Sequence, residues 1–165
     1  MKGATIHGNR STKRGWHGMN SLFLDTNFFL DLFDRGRPRH PRAKTVLTLL
    51  LERDIALYTS ADIISTLSYF LQKRFDLKQT VTYIDYIVEQ VAILSPSNSD
   101  LLTLDTMLFS ALEHTDSFHI DYEDCMQLYL TDKHGVEGIL TSDQRFCRGI
   151  VEQFGVQVVS LETLR

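Results

Sequence analysis

Short apolar runs alternate along the chain with longer segments of helical period, and this alternation narrows the choice of fold more than any other feature. Ser21–Leu24 reads as a strand that stops at Asp25. Helical periodicity follows over residues 27–34, closed by Gly36 and Pro38, and again over 40–53. A second strand at 55–59 precedes helical segments at 61–74 and 77–90. The pattern repeats with a strand at 91–94, helices at 100–113 and 122–134, and Gly135 as a helix terminator. A strand at 136–140, a short helix at 144–149 and a last strand at 156–159 complete it. Crossovers of this length permit parallel pairing. The expected class is α/β, with a mainly parallel sheet covered on both faces.

The length of 165 residues suits one domain with a proper core, and the 43% hydrophobic content is that of a globular chain. No apolar run is long enough to span a bilayer, so no membrane association is expected. Residues 1–20 are basic and rich in Gly, Ser and Thr, without the apolar core of a secretory signal. They read as a flexible leader, an extension or an added segment, with Met19 an alternative start. The expected domain is 21–165. Two cysteines, Cys125 and Cys147, make neither a disulfide framework nor a zinc site, and fit a reducing cytoplasm. The net charge is −4; without the leader, 13 basic residues face 21 acidic ones, a balance of −8. So acidic a body is not a generic nucleic-acid binder. A polyanion would need a local basic patch or a metal ion.

In parallel sheets ligands bind beyond the carboxyl ends of the strands. Asp25 follows the first strand, and Asp143 follows the strand in "VEGILTSD". Asp121 and Asp124 open the helix in "HIDYEDCMQLYL". Each alone reads most simply as a helix cap: Asp25 and Asp143 at the starts of the next helices, Asp121 as N-cap with Asp124 at the third position. Together they would meet at one sheet edge, where carboxylates repel unless a cation lies between them. An all-oxygen ligand set suits Mg²⁺ or Mn²⁺ rather than zinc. A dehalogenase-like phosphatase would need an acid where Asn27 stands. A receiver domain would need an acidic pair after the first strand and a late lysine.

The stretches "FLDTNFFLDLF", "LYTSADIISTLSYFL" and "DYEDCMQLYLTDKHGVEGILTSDQRF" together resemble the PIN-domain family, over nearly all of residues 20–165. The resemblance implies a three-layer α/β/α domain whose acidic cluster binds Mg²⁺ or Mn²⁺ and hydrolyses RNA phosphodiester bonds. On the matching positions, Asp25, Asp124 and Asp143 are the metal-binding and catalytic acids, with Asp121 behind them or as N-cap. The family's remaining acid is a Glu after the second strand, and Thr66 stands at that position. Asp62 lies one helical turn away. It either supplies the missing carboxylate or is a first-turn acid with Ser60 as N-cap. The second alternative leaves three aspartates and a Thr hydroxyl. Thr26 and Asn27 either bond the carboxylates and a metal-bound water or serve as turn and helix-start residues.

The loop "DRGRPRHPRAK" carries Arg35, Arg37, Arg39, Arg42 and Lys44 with His40. It is either a solvated loop at the far edge or a contact for RNA phosphate or an acidic partner. Arg145 and Arg148 are phosphate contacts or last-turn cations. His114, His119 and His134 show no metal-ligand spacing, and Tyr83, Ile84, Tyr86 and Ile87 form an apolar stripe for a core or a dimer face. The functional expectation is a metal-dependent endoribonuclease, the toxin of a VapBC-type pair with an antitoxin partner and a homodimeric form. The alternative is a degenerate PIN domain that binds RNA or protein without cleaving.

Overall fold

A computed structural model describes residues 18–112, 121–143 and 156–162. The strands are β1 (Ser21–Leu24), β2 (Ala56–Ser60), β3 (Ala92–Leu94), β4 (Gly138–Thr141) and β5 (Gln157–Ser160). The helices are α1 (Thr26–Phe33), α2 (His40–Glu52), α3 (Ala61–Gln72), α4 (Leu77–Gln90), α5 (Asn98–Leu112) and α6 (Tyr122–Lys133). The five strands form one sheet in the order β3-β2-β1-β4-β5, with every pairing parallel. The chain runs outward from β1 through β2 to β3, then crosses back to place β4 on the other side of β1. That reversal makes the gap beyond β1 and β4 the topological switch point, where open parallel sheets hold their ligands. Helices α1 to α4 pack on one another, and α6 packs against β4 and α5.

The core explains why β1 reads as a bare apolar run. Leu22, Phe23 and Leu24 are wholly buried, because a central parallel strand is covered on both faces. Phe28 and Phe29 continue the core from α1. Removing a ring such as Phe23 by substitution with Ala costs about 3–5 kcal/mol. The apolar stripe of α4 is split: Ile87 is buried, Tyr83 and Ile84 pack half-buried against the core, and Tyr86 is exposed. Phe33 stacks on Tyr83 with centroids 4.4 Å apart, and Phe75 meets the same ring edge-on.

The ends of elements differ from expectation for local reasons. Helix α5 begins at Asn98, earlier than its periodicity suggests, because Ser97 and Asp100 exchange side-chain to backbone hydrogen bonds. Strand β4 extends to Thr141, which pairs with Ser160 of β5. Gly135 takes φ +64° just past α6, the left-handed turn that glycine accommodates without cost. Ser60 is the N-cap residue of α3, yet its buried hydroxyl makes no capping bond. The sheet reaches back into the segment expected to be leader, since Ala56 donates its amide to the Asn20 carbonyl. Residues 1–17 and the expected short helix at 144–149 lie outside the described residues. No helix among the described residues is long and apolar enough to cross a membrane.

Candidate active site

Asp25 sits where β1 gives way to α1. Its Oδ1 accepts from the Phe28 amide at 2.8 Å, which makes it the N-cap of α1. Its Oδ2 accepts from the Thr141 hydroxyl at the end of β4. The same Thr141 oxygen accepts from the Asp143 amide at 2.9 Å. One hydroxyl therefore ties the first acid to the turn that carries the last. Asp121 and Asp124 form a capping box at the start of α6: the Asp124 amide donates to Asp121 Oδ1 at 2.9 Å, and the Asp121 amide donates back to Asp124 Oδ2.

These caps converge on a cleft of about 470 Å³, lined by Asp25, Thr26, Asn27, Thr66, Asp121, Asp124 and Asp143 among others. Asp25, Asp121 and Asp124 are thus helix-cap residues that also line the cleft, while the helix that Asp143 is expected to cap lies outside the described residues. The crowding has an electrostatic cost. Burial pushes Asp25 up to about 7 against the lowering pull of its hydrogen bonds, and the charges of Asp124 and Asp143 add to the rise. Asp124 is also pushed up to about 7, by burial first and then by the charge of Asp121, with Asp143 and Glu123 contributing. Among the described residues, no three His, Cys, Asp or Glu side chains already stand close enough to grip one ion. The repulsion of unscreened carboxylates works against such closeness.

Glu123 is the residue that sequence reasoning missed. It faces the cleft from the first turn of α6. The Thr26 hydroxyl donates to its Oε1 at 3.3 Å and the Thr66 hydroxyl to its Oε2 at 3.4 Å. A carboxylate is therefore present beside Thr66, delivered from the opposite wall. Burial raises its pKa, as does the charge of Asp62, while the two hydroxyls lower it. Asp62 is not one of the residues lining this cleft. It lines a neighbouring pocket with Pro96, Leu101, Tyr122, Glu123 and Met126, and occupies the first turn of α3.

The basic loop divides. Helix α1 is only eight residues long, so the chain after it returns to the carboxyl edge. Arg37 lines the cleft and its Nε donates to the buried Asp31 carboxylate. Arg39 pairs with Glu162 at 2.7 Å, and Arg42 donates to the Leu161 carbonyl just beyond β5. Arg35, His40 and Lys44 instead line a separate groove with Phe33, Tyr83 and Tyr86. Arg145 and Arg148 lie outside the described residues, as do His114 and His119. Cys125 is a buried residue of α6, and its thiol is pushed up to about 11, chiefly by burial. It is therefore a packing residue rather than a nucleophile.

An acid-lined cleft at the switch point of a five-stranded parallel sheet agrees with the family that the sequence resembles. The PIN-domain model matches residues 22–149, and the chain belongs to the PIN-domain family. It is 31% identical over 130 residues to the ribonuclease VapC1 of Aquifex aeolicus, an alignment covering 78% of this chain and 86% of that protein. Solved structures share the fold at lower identity. VapC20 of Mycobacterium tuberculosis, described as a toxin that cleaves the sarcin-ricin loop, superposes with a TM-score of 0.64 at 18% identity, covering 82% of this chain and 98% of that one. VapBC2 of Rickettsia felis, solved on a DNA fragment from its promoter, gives 0.65 at 15% identity, covering 85% and 98%.

Proposed function

We propose that the chain is a divalent-metal-dependent endoribonuclease, the toxin of a VapBC-type pair. The observation that carries this reading is the meeting of Asp25, Asp124 and Asp143, from three separate elements, in one cleft with Arg37. Its support from outside is the 31% identity to a VapC ribonuclease.

The donor set fits a hard cation. The cleft offers carboxylate, hydroxyl and amide oxygens, with no sulfur or imidazole among its described lining residues. Gln127 Oε1 is buried there without a hydrogen-bond partner. Asp25, Asp124 and Asp143 would hold Mg²⁺ or Mn²⁺. When bound, the ion supplies an acidified water and screens charge on the phosphoryl oxygens. The chain's own residues do the positioning. Thr141 fixes the carboxylate of Asp25, and the Asp121 amide of the capping box holds that of Asp124. Arg37 offers its guanidinium to a backbone phosphate beside a cleft that would otherwise repel RNA. On the sequence reading, Arg39, Arg145 and Arg148 are assigned the same phosphate-contacting role. No side-chain nucleophile is required.

The VapBC relatives support an antitoxin as partner, and a cytoplasmic homodimer is the form we assign. Thr66 at the family's Glu position favours a second reading, a PIN domain that binds RNA or protein without cutting. Cleavage of a generic RNA with Mn²⁺ separates the two. The nuclease reading expects cleavage by the wild type that Asp25→Asn abolishes. No cleavage, with RNA binding retained, favours the second.

A further inference from the structure

We propose that Glu123 is the fourth carboxylate of this cleft, taking over from α6 the position that Thr66 leaves empty on α3, with Gln127 as a neutral oxygen ligand beside it. The proposal deepens the metal-nuclease reading and rests on it.

Three observations carry it. First, Glu123 is cradled rather than free. Thr26 at the start of α1 and Thr66 on α3 donate to its two oxygens, so residues of both facing walls fix its carboxylate. A first-turn acid that merely complements the helix dipole needs no such cradle. Second, the two donors come from the positions beside Asp25 and at the absent Glu, so the carboxylate lies between them. Exchanging Glu and Thr between α3 and α6 leaves the charge in place and moves only its tether. Third, Gln127 sits one turn after Glu123 on α6, 2% exposed, and its Oε1 has no donor. A buried acceptor left unsatisfied costs about 1–3 kcal/mol. The hydroxyls of Thr26 and Thr66 already serve Glu123, and an ionised carboxylate has no proton to donate. A hard cation, or a water on one, satisfies such an oxygen.

The experiment is Mn²⁺ titration of the purified protein by isothermal calorimetry, with melting of the metal-free form as a check on folding. Glu123→Gln keeps the shape and both hydroxyl partners while removing the charge. It is expected to weaken Mn²⁺ binding by about tenfold or more. Adding Thr66→Glu to that variant returns a carboxylate from α3 and is expected to recover most of the loss. Wild-type affinity in Glu123→Gln, alongside lost affinity in Asp25→Asn, overturns the assignment of Glu123 and leaves the nuclease reading standing. Loss in Glu123→Gln without recovery by Thr66→Glu overturns the shared position. Failure of the wild type both to bind Mn²⁺ and to cleave RNA overturns the assignment together with the reading beneath it.

Discussion

The hydroxyl of Thr141 donates to the carboxylate of Asp25, joining residues 116 positions apart across the β1–β4 boundary. The bond also spans the switch point, because the same hydroxyl accepts from the Asp143 amide. The Thr of the T-x-D turn is thus the joint between two acids. Thr141→Val leaves the shape and removes the donor. It is expected to destabilise the metal-free protein by about 1–3 kcal/mol, the cost of a buried acceptor left unpaired. It is also expected to weaken Mn²⁺ binding, since Asp25 loses one of its two anchors. Denaturant unfolding and metal titration of this variant measure the two effects.

Asp25 and Asp124 make the metal-free stability depend on pH in an uncommon direction. Both fold with pKa values near 7 against 3.8 for the free side chain. The folded state binds these protons more tightly, so ionisation costs folding free energy. The stability they allow is present in full below about pH 4 and is lost as pH rises to about 7. Other groups set the limb below pH 4. The expected outcome is a melting temperature that falls between pH 5 and pH 8. Asp25→Asn, which keeps a good N-cap, flattens that fall. Mn²⁺ at pH 8 reverses it in the wild type. A thermal melt series read at fixed ionic strength tests all three.

Asp100 holds the start of α5 to the end of α6. Its carboxylate accepts from Lys133 Nζ at 2.6 Å, from the Ser97 amide at 2.8 Å and from Tyr129 at 3.1 Å. These partners, Lys133 first, hold its pKa well below the usual carboxylate range. The stability it contributes is present above the unfolded pKa and is lost only as pH falls through the lower folded value. Asp100→Asn is therefore expected to lower the melting temperature at pH 7. It is also expected to weaken Mn²⁺ binding slightly, because α6 carries Glu123 and Asp124.

Arg37 serves two masters. It pairs with the buried Asp31 and faces the cleft. Arg37→Gln is expected to reduce RNA affinity and to flatten its salt dependence by the loss of about one phosphate contact. It is also expected to lower stability by stranding Asp31. Binding of a non-cleavable RNA across a salt series separates the electrostatic effect from the structural one.

What was legible in the chain follows from local physics. The strand β1, the helix α4 and the Gly135 turn each carry their signal within a few residues. Asp25 and Asp121 read as caps, and they are caps. Glu123 was not legible, because a first-turn Glu looks the same whether it meets water or two threonines from distant segments. Asp62 and Thr66 share a helical side by spacing. The rotation of α3 against its neighbours then puts Thr66 in the cleft and Asp62 in the adjoining pocket. The sequence places the end of α1 to within one residue, but it does not show which edge of the sheet the following loop reaches, and that decides the position of Arg37.

The most direct test of the account is anomalous diffraction from crystals soaked in Mn²⁺. The prediction is a peak bounded by the carboxylates of Asp25, Asp124 and Asp143, and touching Glu123. A saturated crystal whose Mn²⁺ sits elsewhere, with this cleft holding only water, would contradict it.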